Sequence, residues 1–310
     1  MRRRRVQRLA KRLTNFKDLI PIGQVPVWLE RAPACRLAHS TFDWRIAMQS
    51  ITRFQAMKAA QQKISMVTCY DFWSAQLVAE SAVDSILVGD SLAVVMHGFP
   101  STVHATLDLM LPHVAAVARG AGDKIIIADM PFMTASSDLS SGVAAATALI
   151  QAGAHAVKIE GAKHQRTLIA HLVEAGLPVV GHLGLTPQAV LQLGGHRVQA
   201  KTEATAKVLC QEAEQLERAG IAALVLECVP AKVASLIAQS LDCPVIGIGA
   251  GVQVDGQVLV LHDLLGANRG FHPKFLRQYA DFAGDMLGAL NHFHEDVIQG
   301  AFPARCESYS

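Results

Sequence analysis

The chain has 310 residues, of which 51% are hydrophobic and 17% are charged, so it can bury a large core and is not an intrinsically disordered protein. Asp90, Asp129, Lys158 and Glu227 interrupt its most apolar stretches, which excludes the run of about 18 apolar residues that a transmembrane helix needs. The six cysteines form no Cys-x-x-Cys pair, and this spacing predicts reduced thiols in a cytoplasmic protein and argues against a cysteine zinc site.

The net charge of +2 hides an uneven distribution of basic residues. Residues 1–60 carry 13 Lys and Arg against 3 Asp and Glu, whereas residues 61–310 carry 15 against 23. The basic character therefore belongs to a separate segment. We predict a basic N-terminal extension over residues 1–52, poorly ordered or not native, ahead of a single catalytic domain over residues 53–310.

Three origins of this extension are open: an Arg-rich targeting presequence, upstream codons ahead of a true start at Met48 or Met57, or an arm that binds nucleic acid. Pro21, Pro26 and Pro33 interrupt any long amphipathic helix, which weighs against a presequence. The stretch MRRRRVQRLAKR has no aromatic residue to stack on a base. We therefore favour the upstream codons and expect no nucleic-acid partner.

From Ser65 onward, short β-branched runs alternate with longer helical patterns. Eight runs predict strands, in chain order MVTCYD, SILVGD, KIIIAD, AHAVKIE, LPVVGHL, IAALVLE, PVIGIG and QVLVLHD. Helices are predicted over residues 71–82, 107–118, 141–152, 165–175 and 202–219, the first with Ala75, Leu77, Val78 and Ala82 on its apolar side. Residues 92–106 predict a long active-site loop. Eight parallel strands with short returns predict a single α/β domain of the (βα)8 TIM-barrel class.

Four of the predicted strands follow a glycine that comes directly after an alanine at the end of a helical pattern. These glycines are Gly122, Gly153, Gly176 and Gly220. Because glycine adopts the left-handed conformation without strain, each is predicted to stop its helix and turn the chain into the next strand.

Polar residues occupy the carboxyl ends of five predicted strands: Asp90, Asp129, Glu160, His182 and Glu227. In a parallel barrel these ends meet at one rim, which is where the active site lies. Clustered carboxylates repel one another and are costly to desolvate, so the arrangement predicts a bound cation. Carboxylate oxygens without thiolates favour Mg²⁺ first and Mn²⁺ next.

Lys158 and Glu160 lie two residues apart in a strand, so their side chains point to the same side. They form either a structural ion pair or part of the site. His182 alone would be interpreted as a core histidine, but its position among acidic strand ends favours a functional role.

Seven motifs, LVGDSL, ADMPFM, VKIEG, GHLGLTPQ, GG-x-x-VQ, LVLECVP and IGIGAG, occur in this order and resemble those of the ketopantoate hydroxymethyltransferase family. The resemblance covers residues 54–303. It implies a TIM-barrel enzyme of pantothenate and coenzyme A biosynthesis that uses 5,10-methylenetetrahydrofolate as co-substrate. Such an enzyme moves a one-carbon unit to C3 of 3-methyl-2-oxobutanoate and gives 2-dehydropantoate, which is ketopantoate.

The resemblance also implies a metal site. Asp90 and Asp129 match the Mg²⁺ ligands of the family, and Glu160 matches the acid beside the metal, which acts through bound water.

The same motifs imply the residues that handle the substrate. Ser91 and Lys158 match the groups that hold the carboxylate of the 2-oxo acid, and Glu227 matches the general base. The residues expected to contact the 2-oxo acid are Ser91, Asp90, Asp129, Lys158 and His182.

The sequence departs from the family pattern in two loops. Ala93 replaces a glycine after GDSL, HGFPST replaces a Gly-x-Asp-Ser-Thr segment, and GGHRVQAK replaces a GG-Tyr-Lys-VQ-Gly segment. These changes surround the pocket, so they affect folate contacts and loop closure more than the chemistry of the strand ends.

Two other functions are weighed against this one. A Mg²⁺-dependent C–C lyase or mutase of the phosphoenolpyruvate mutase and isocitrate lyase type would share the barrel, but the chain lacks the Lys-Lys-Cys-Gly-His loop of those lyases. A non-catalytic scaffold with a nucleic-acid-binding arm would need damaged site residues, and none of the matched residues is lost.

The family resemblance also implies a homodecamer of two stacked pentameric rings. Two exposed C-terminal helices within residues 275–298 are the predicted interface candidates.

Overall fold

The structure is a computed structural model that describes residues 50–270 and 272–309, so the predictions made for residues 1–49 lie outside the described residues. Within the described part, eight parallel strands close into a barrel in the order β1 to β8, and β8 pairs with β1. The predicted (βα)8 barrel is thereby confirmed. None of the helices in this part is both long enough and apolar enough to span a bilayer.

Every strand is short, and each pairs in parallel with its neighbours in the sequence. The strands are β1 Ile64–Thr68, β2 Ser85–Val88, β3 Ile125–Asp129, β4 Ala156–Glu160, β5 Val179–Gly184, β6 Ala223–Glu227, β7 Val245–Ile248 and β8 Gly256–Leu259.

The helices lie before, between and after the strands. They are α1 Thr52–Ala59, α2 Phe72–Glu80, α3 Leu92–Val95, α4 Leu107–Gly120, α5 Leu139–Gln151, α6 Arg166–Glu174, α7 Val190–Leu193, α8 Glu203–Arg218, α9 Ala231–Ser240, α10 Leu261–Leu264 and α11 Phe282–Gln299. In the part of the chain that the structure describes, three further turns are 3₁₀-helical, at Thr102–His104, Pro187–Ala189 and Arg305–Glu307.

Side-chain caps fix where several of these helices begin. The side chains of Asp71, Thr106, Asp138 and Thr202 each accept a hydrogen bond from a backbone N–H three residues later. Each such cap is worth about 1 kcal/mol. The caps set the angle at which the chain leaves each loop at the carboxyl end of the barrel, and the site lies at that end.

The helix-stopping glycines adopt the predicted conformation. Gly122, Gly153, Gly176 and Gly220 have φ angles of +58°, +115°, +87° and +89°. At Gly153, an added Cβ would lie 2.4 Å from the Cβ of Ala118, so space as well as conformation excludes a larger residue.

Helix α1 closes the barrel at the amino-terminal ends of the strands. Phe54 and Met57 are buried in one cluster with the first residues of several strands, including Ile64 and Ile125. Lys58 fixes the helix further, because its Nζ donates to three backbone carbonyls of the turn between α9 and β7 at 2.8–3.0 Å. The catalytic domain therefore includes this helix.

Three details of the sequence prediction are wrong. Leu77 is 52% exposed, because α2 turns Ser74, Ala75 and Val78 towards the barrel instead. Ala82 is exposed as well, because α2 ends at Glu80. The segment 275–298 contains one helix, α11, preceded by irregular chain, and not two helices.

Candidate active site

The carboxyl ends of β2 to β6 bring together the polar residues that the sequence places there. Asp90, Asp129, Lys158, Glu160 and His182 are each at most 9% exposed. Glu227, at the end of β6, is more open, with 17% of its side chain accessible. The parallel register sets these contacts, since it pairs Asp129 with Lys158 and Glu160 with His182 on adjacent strands. We call these six residues the rim cluster.

Lys158 is the central cation of the rim cluster. Its Nζ lies 3.0 Å from Asp129 Oδ1 and 3.7 Å from Glu160 Oε1. Burial lowers the pKa of Lys158, but the charges of Asp129, Glu160 and Asp90 outweigh burial and raise it above its ordinary value. The ammonium group therefore stays charged, and Lys158 forms ion pairs with two carboxylates of the rim cluster.

His182 joins the two acidic residues on either side of it. Its Nδ1 lies 3.3 Å from Glu160 Oε1 and 3.0 Å from Lys158 Nζ, and its Nε2 lies 3.3 Å from Glu227 Oε2. Burial and Lys158 disfavour the imidazolium, but the nearby carboxylates of Glu160 and Glu227 favour it and raise the pKa of His182 to about 8. The imidazole can therefore take up or release a proton near neutral pH.

The carboxylates differ in how well their charge is compensated. Burial would raise the pKa of Glu160, but the close contact with His182 and the charge of Lys158 lower it. Burial raises the pKa of Asp129 despite Lys158. Burial, Asp129 and Glu160 together raise the pKa of Asp90 well above its ordinary value. Asp90 is thus the carboxylate that most lacks a cation.

A model of the family described as Ketopantoate hydroxymethyltransferase matches residues 48–305. The chain therefore belongs to this family. The family predicted from the sequence motifs is confirmed, and the membership decides against the lyase and scaffold alternatives.

Curated relatives agree over nearly their whole length. The chain is 52% identical over 263 residues to the 3-methyl-2-oxobutanoate hydroxymethyltransferase of Bdellovibrio bacteriovorus, covering 85% of this chain and 100% of that protein. It is 50% identical over 251 residues to the protein of the same name from Coxiella burnetii, covering 81% and 94%.

Solved structures share the fold at low sequence identity. A phosphonomutase-like protein from Burkholderia cenocepacia superposes with a TM-score of 0.55 at 13% identity, covering 81% of this chain and 100% of that chain. A phosphonopyruvate hydrolase gives 0.54 at 14% identity, covering 83% and 93%. These likenesses concern the barrel fold alone.

The geometry of Asp90 and Asp129 fits the Mg²⁺ that the family motifs imply. The backbone N–H of Asp90 donates to Asp129 Oδ2 at 2.9 Å, so the two buried carboxylates are held side by side. Among the described residues, no three His, Cys, Asp or Glu side chains form a metal site by themselves. Mg²⁺ needs no such set, because one or two carboxylates, with water and substrate oxygens, satisfy its octahedral shell.

Gln188, which the sequence analysis missed as a site residue, connects three parts of the site. Its Nε2 donates to Asp90 Oδ2 and to the Met130 carbonyl, both at 2.9 Å. Its backbone N–H donates to Glu160 Oε2 at 3.0 Å. The residue lies in the GHLGLTPQ motif, and that position was the only available signal.

Tyr70 is a second missed residue. Its hydroxyl lies 2.8 Å from Ser91 Oγ, and its ring stacks on His262 with the ring centroids 5.6 Å apart. It is fully buried just after β1, at the end of the run MVTCYD. Tyr70 therefore fixes the orientation of the Ser91 hydroxyl.

The backbone around Glu227 is held tightly against β5. An added Cβ at Gly184, whose φ is +92°, would lie 2.3 Å from the Glu227 carbonyl oxygen. The Leu185 N–H donates to that oxygen at 2.8 Å. Cys228, the next residue, has a φ of +49°, which is strained for a residue with a Cβ. This close approach keeps the Glu227 carboxylate beside His182.

The predicted loop of residues 92–106 is attached to the barrel wall. His97 and His113 are in contact, with Nε2 to Nε2 at 2.9 Å, and Phe99 stacks on His104 with centroids 5.1 Å apart. His113 Nδ1 donates to the Tyr70 carbonyl, because a carbonyl oxygen can only accept. The altered HGFPST segment therefore keeps an ordered place beside the site.

Proposed function

We propose that this protein is a 3-methyl-2-oxobutanoate hydroxymethyltransferase that uses 5,10-methylenetetrahydrofolate as its one-carbon donor. The names and extensive identity of the curated relatives support this activity. The observation that carries it here is the rim cluster, in which two adjacent carboxylates, a lysine and a histidine–glutamate pair meet at the carboxyl end of one barrel. Such a site suits proton removal next to a carbonyl group.

Asp90 and Asp129 would hold Mg²⁺, and Glu160 would stand beside it and act through water; Mn²⁺ has the same oxygen preference. When bound, this ion supplies Lewis-acid stabilisation of the negative charge that develops on the keto oxygen. The Asp90 pKa supports this assignment, since a cation removes the penalty of ionising that buried carboxylate.

Lys158 and Ser91 would hold the carboxylate of the 2-oxo acid. Lys158 supplies a buried positive charge, and the Ser91 hydroxyl is oriented by Tyr70. This leaves C3 of the substrate pointing to the more open side of the rim cluster, where Glu227 lies.

Glu227 would remove the proton from C3, and His182 would stabilise the resulting carboxylic acid or share its proton. The enolate then forms a C–C bond with the methylene carbon of the donor as the bond from that carbon to N10 breaks and N10 takes up a proton. Water replaces N5 on the same carbon and gives a proton to N5, which completes the hydroxymethyl group and releases tetrahydrofolate. The 3.3 Å between His182 Nε2 and Glu227 Oε2 places the imidazole next to the carboxyl group that would hold this proton.

We also propose that the protein is a homo-oligomer, with the decamer of the family as the expected form. Helix α11 has 18 residues and buries none of them in its own chain. Met286, Leu290, Phe293 and Val297 form an exposed row along it at alternating spacings of four and three residues. A cytoplasmic location remains a prediction.

The test is direct. The full chain is mixed with 3-methyl-2-oxobutanoate, Mg²⁺ and 5,10-methylenetetrahydrofolate, and ketopantoate is measured, with isocitrate and methylisocitrate as comparison substrates. Ketopantoate formation that requires the folate supports the proposal. Cleavage of either comparison substrate without ketopantoate formation would show that the lyase function is correct.

A further inference from the structure

A cavity of about 780 Å³ opens beside the rim cluster and has no role in the steps above. Its wall consists of the loops that follow β3, β4 and β5 and of one side of α8. Glu160 belongs to the rim cluster and also lines the cavity, and Gln188 lines the cavity and donates to Asp90 of the rim cluster, so the two sites adjoin at these residues. We propose that this cavity is the binding site of the reduced folate, an inference that rests on the function proposed above.

The size and position of the cavity suit the donor. Pockets for ligands of this size occupy about 300–1,000 Å³. Because Glu160 and Gln188 are shared between the cavity wall and the site of the 2-oxo acid, a ligand seated in the cavity would present one end to that acid. That is the geometry that carbon transfer between two bound substrates requires.

The chemistry of the wall suits a flat heteroaromatic ring. Phe132, Leu183, Leu193 and Val208 provide apolar surface for the two faces of a pterin. Gln188 uses its amide nitrogen for Asp90 and Met130, and among the described residues no donor contacts its amide oxygen. A pterin has N–H groups along its edge, and a fixed acceptor of this kind would orient it.

The mouth of the cavity carries a charge for the other end of the donor. Lys163 is exposed, with its Nζ 3.9 Å from Glu212 Oε1, and both residues line the cavity. An exposed ion pair at this distance contributes little stability, so an incoming carboxylate can replace Glu212 as the partner of Lys163. The glutamate tail of a folate has two carboxylates and would occupy this position.

The altered GGHRVQAK segment contributes to the same wall. Gln199 and Ala200 lie in it and line the cavity. The departure from the family pattern thus falls on the proposed folate site and not on the rim cluster.

The experiment measures equilibrium binding of tetrahydrofolate, and of tetrahydropteroate, which lacks the glutamate tail, to the full chain under anaerobic conditions. Val208 is 47% exposed, and Val208→Trp would fill the cavity from α8. Lys207→Trp is the matched control, since Lys207 is exposed on the same helix and does not line the cavity. We expect Val208→Trp to weaken both ligands by about tenfold or more and Lys207→Trp to leave both unchanged.

Lys163→Ala tests separately whether Lys163 binds the glutamate tail. Its result does not depend on the folding of the tryptophan variant. It should weaken tetrahydrofolate by about two- to fivefold and leave tetrahydropteroate unchanged. Equal binding of tetrahydrofolate by Val208→Trp and Lys207→Trp, or an equal loss of both ligands in Lys163→Ala, would overturn the proposal.

Exchange of the C3 hydrogen of 3-methyl-2-oxobutanoate in D₂O needs no folate and should persist in Val208→Trp. Its absence from the wild type would instead count against the proposed function.

Discussion

His182 Nε2 lies 3.3 Å from Glu227 Oε2, and this contact joins the buried half of the rim cluster to its open side. Within residues 50–270 and 272–309, the one ion pair of Glu227 is with this imidazole. A structural carboxylate paired with a cation is the alternative to a role as base, and here the paired group is His182 and not Lys158. The carboxylate is therefore partly exposed, next to a histidine, and available to a substrate.

The first prediction concerns Glu227→Gln. The amide keeps the shape and removes the basicity, so exchange of the C3 hydrogen in D₂O with Mg²⁺ and no folate should slow by about 10²-fold or more. Substrate affinity should change little, because Lys158 and Ser91 hold the carboxylate. Exchange at the wild-type rate would transfer the role of base to His182 or to a metal-bound hydroxide.

Two substitutions test the metal ligands. Asp90→Asn and Asp129→Asn should each weaken Mg²⁺ binding, measured by calorimetry, and nearly abolish ketopantoate formation. They should differ in stability. Asp129 pairs with Lys158 at 3.0 Å, whereas burial and like charges already disfavour ionised Asp90.

In chemical denaturation without metal, Asp129→Asn should therefore lose about 1–3 kcal/mol more than Asp90→Asn. Full activity in either variant would mean that the ligands are assigned wrongly. Equal stability of the two would contradict the account of Lys158 as the partner of Asp129.

The strand ends and helix stops were predictable because each depends on a local pattern. An apolar run that ends in a polar residue gave the positions of Asp129 and Glu160, and an Ala-Gly pair gave the turns. Gln188 was not predictable in this way, since its three hydrogen bonds reach β2, β3 and β4 and depend on the path of the loop after β5. Leu77 was misassigned because α2 is apolar on more than one side.

The start of the domain at residue 53 stays a prediction. Helix α1 lies almost wholly inside the predicted domain, and Phe54 packs against the first residues of the strands. A chain that begins at Met48 should fold and turn over like the full chain. A chain that begins at Met57 lacks Phe54, whose removal alone costs about 3–5 kcal/mol.

Thermal unfolding of the two shortened chains compares these starts. The Met57 start should unfold at a clearly lower temperature or be insoluble. Inactivity of the Met48 chain would show that residues 1–47 belong to the working structure.

His155 gives a pH-dependent prediction away from the rim cluster. Its Nδ1 accepts a hydrogen bond from the Ile126 N–H at 2.9 Å, and burial lowers the pKa of His155 below its ordinary value of 6.5. As the pH falls below 6.5, the unfolded chain binds a proton first, so the free energy of unfolding should decrease. Above that pH the contribution is fully present.

His155→Asn is the matched variant, because the asparagine oxygen can accept the same hydrogen bond and does not titrate. Urea unfolding from about pH 7 to pH 5 should show a larger loss of stability for the wild type than for the variant. Parallel pH profiles would contradict this prediction.

The last prediction concerns assembly through α11. Met286, Leu290, Phe293 and Val297 are exposed in one row, and the T-shaped contact of Phe293 with Phe302, with centroids 5.5 Å apart, adds a further apolar side chain beside it. Leaving such a row in water is unfavourable by about 25 cal/mol for each Å² of apolar surface, so a second copy of the chain is expected to cover it. Leu290→Glu places a charge in the middle of the row and should shift the protein to smaller species in light scattering. Gln299→Glu adds the same charge on the opposite side of the helix and should leave the assembly intact. A monomeric wild type would dismiss the homo-oligomer, and an unchanged assembly in Leu290→Glu would mean that α11 is not its interface.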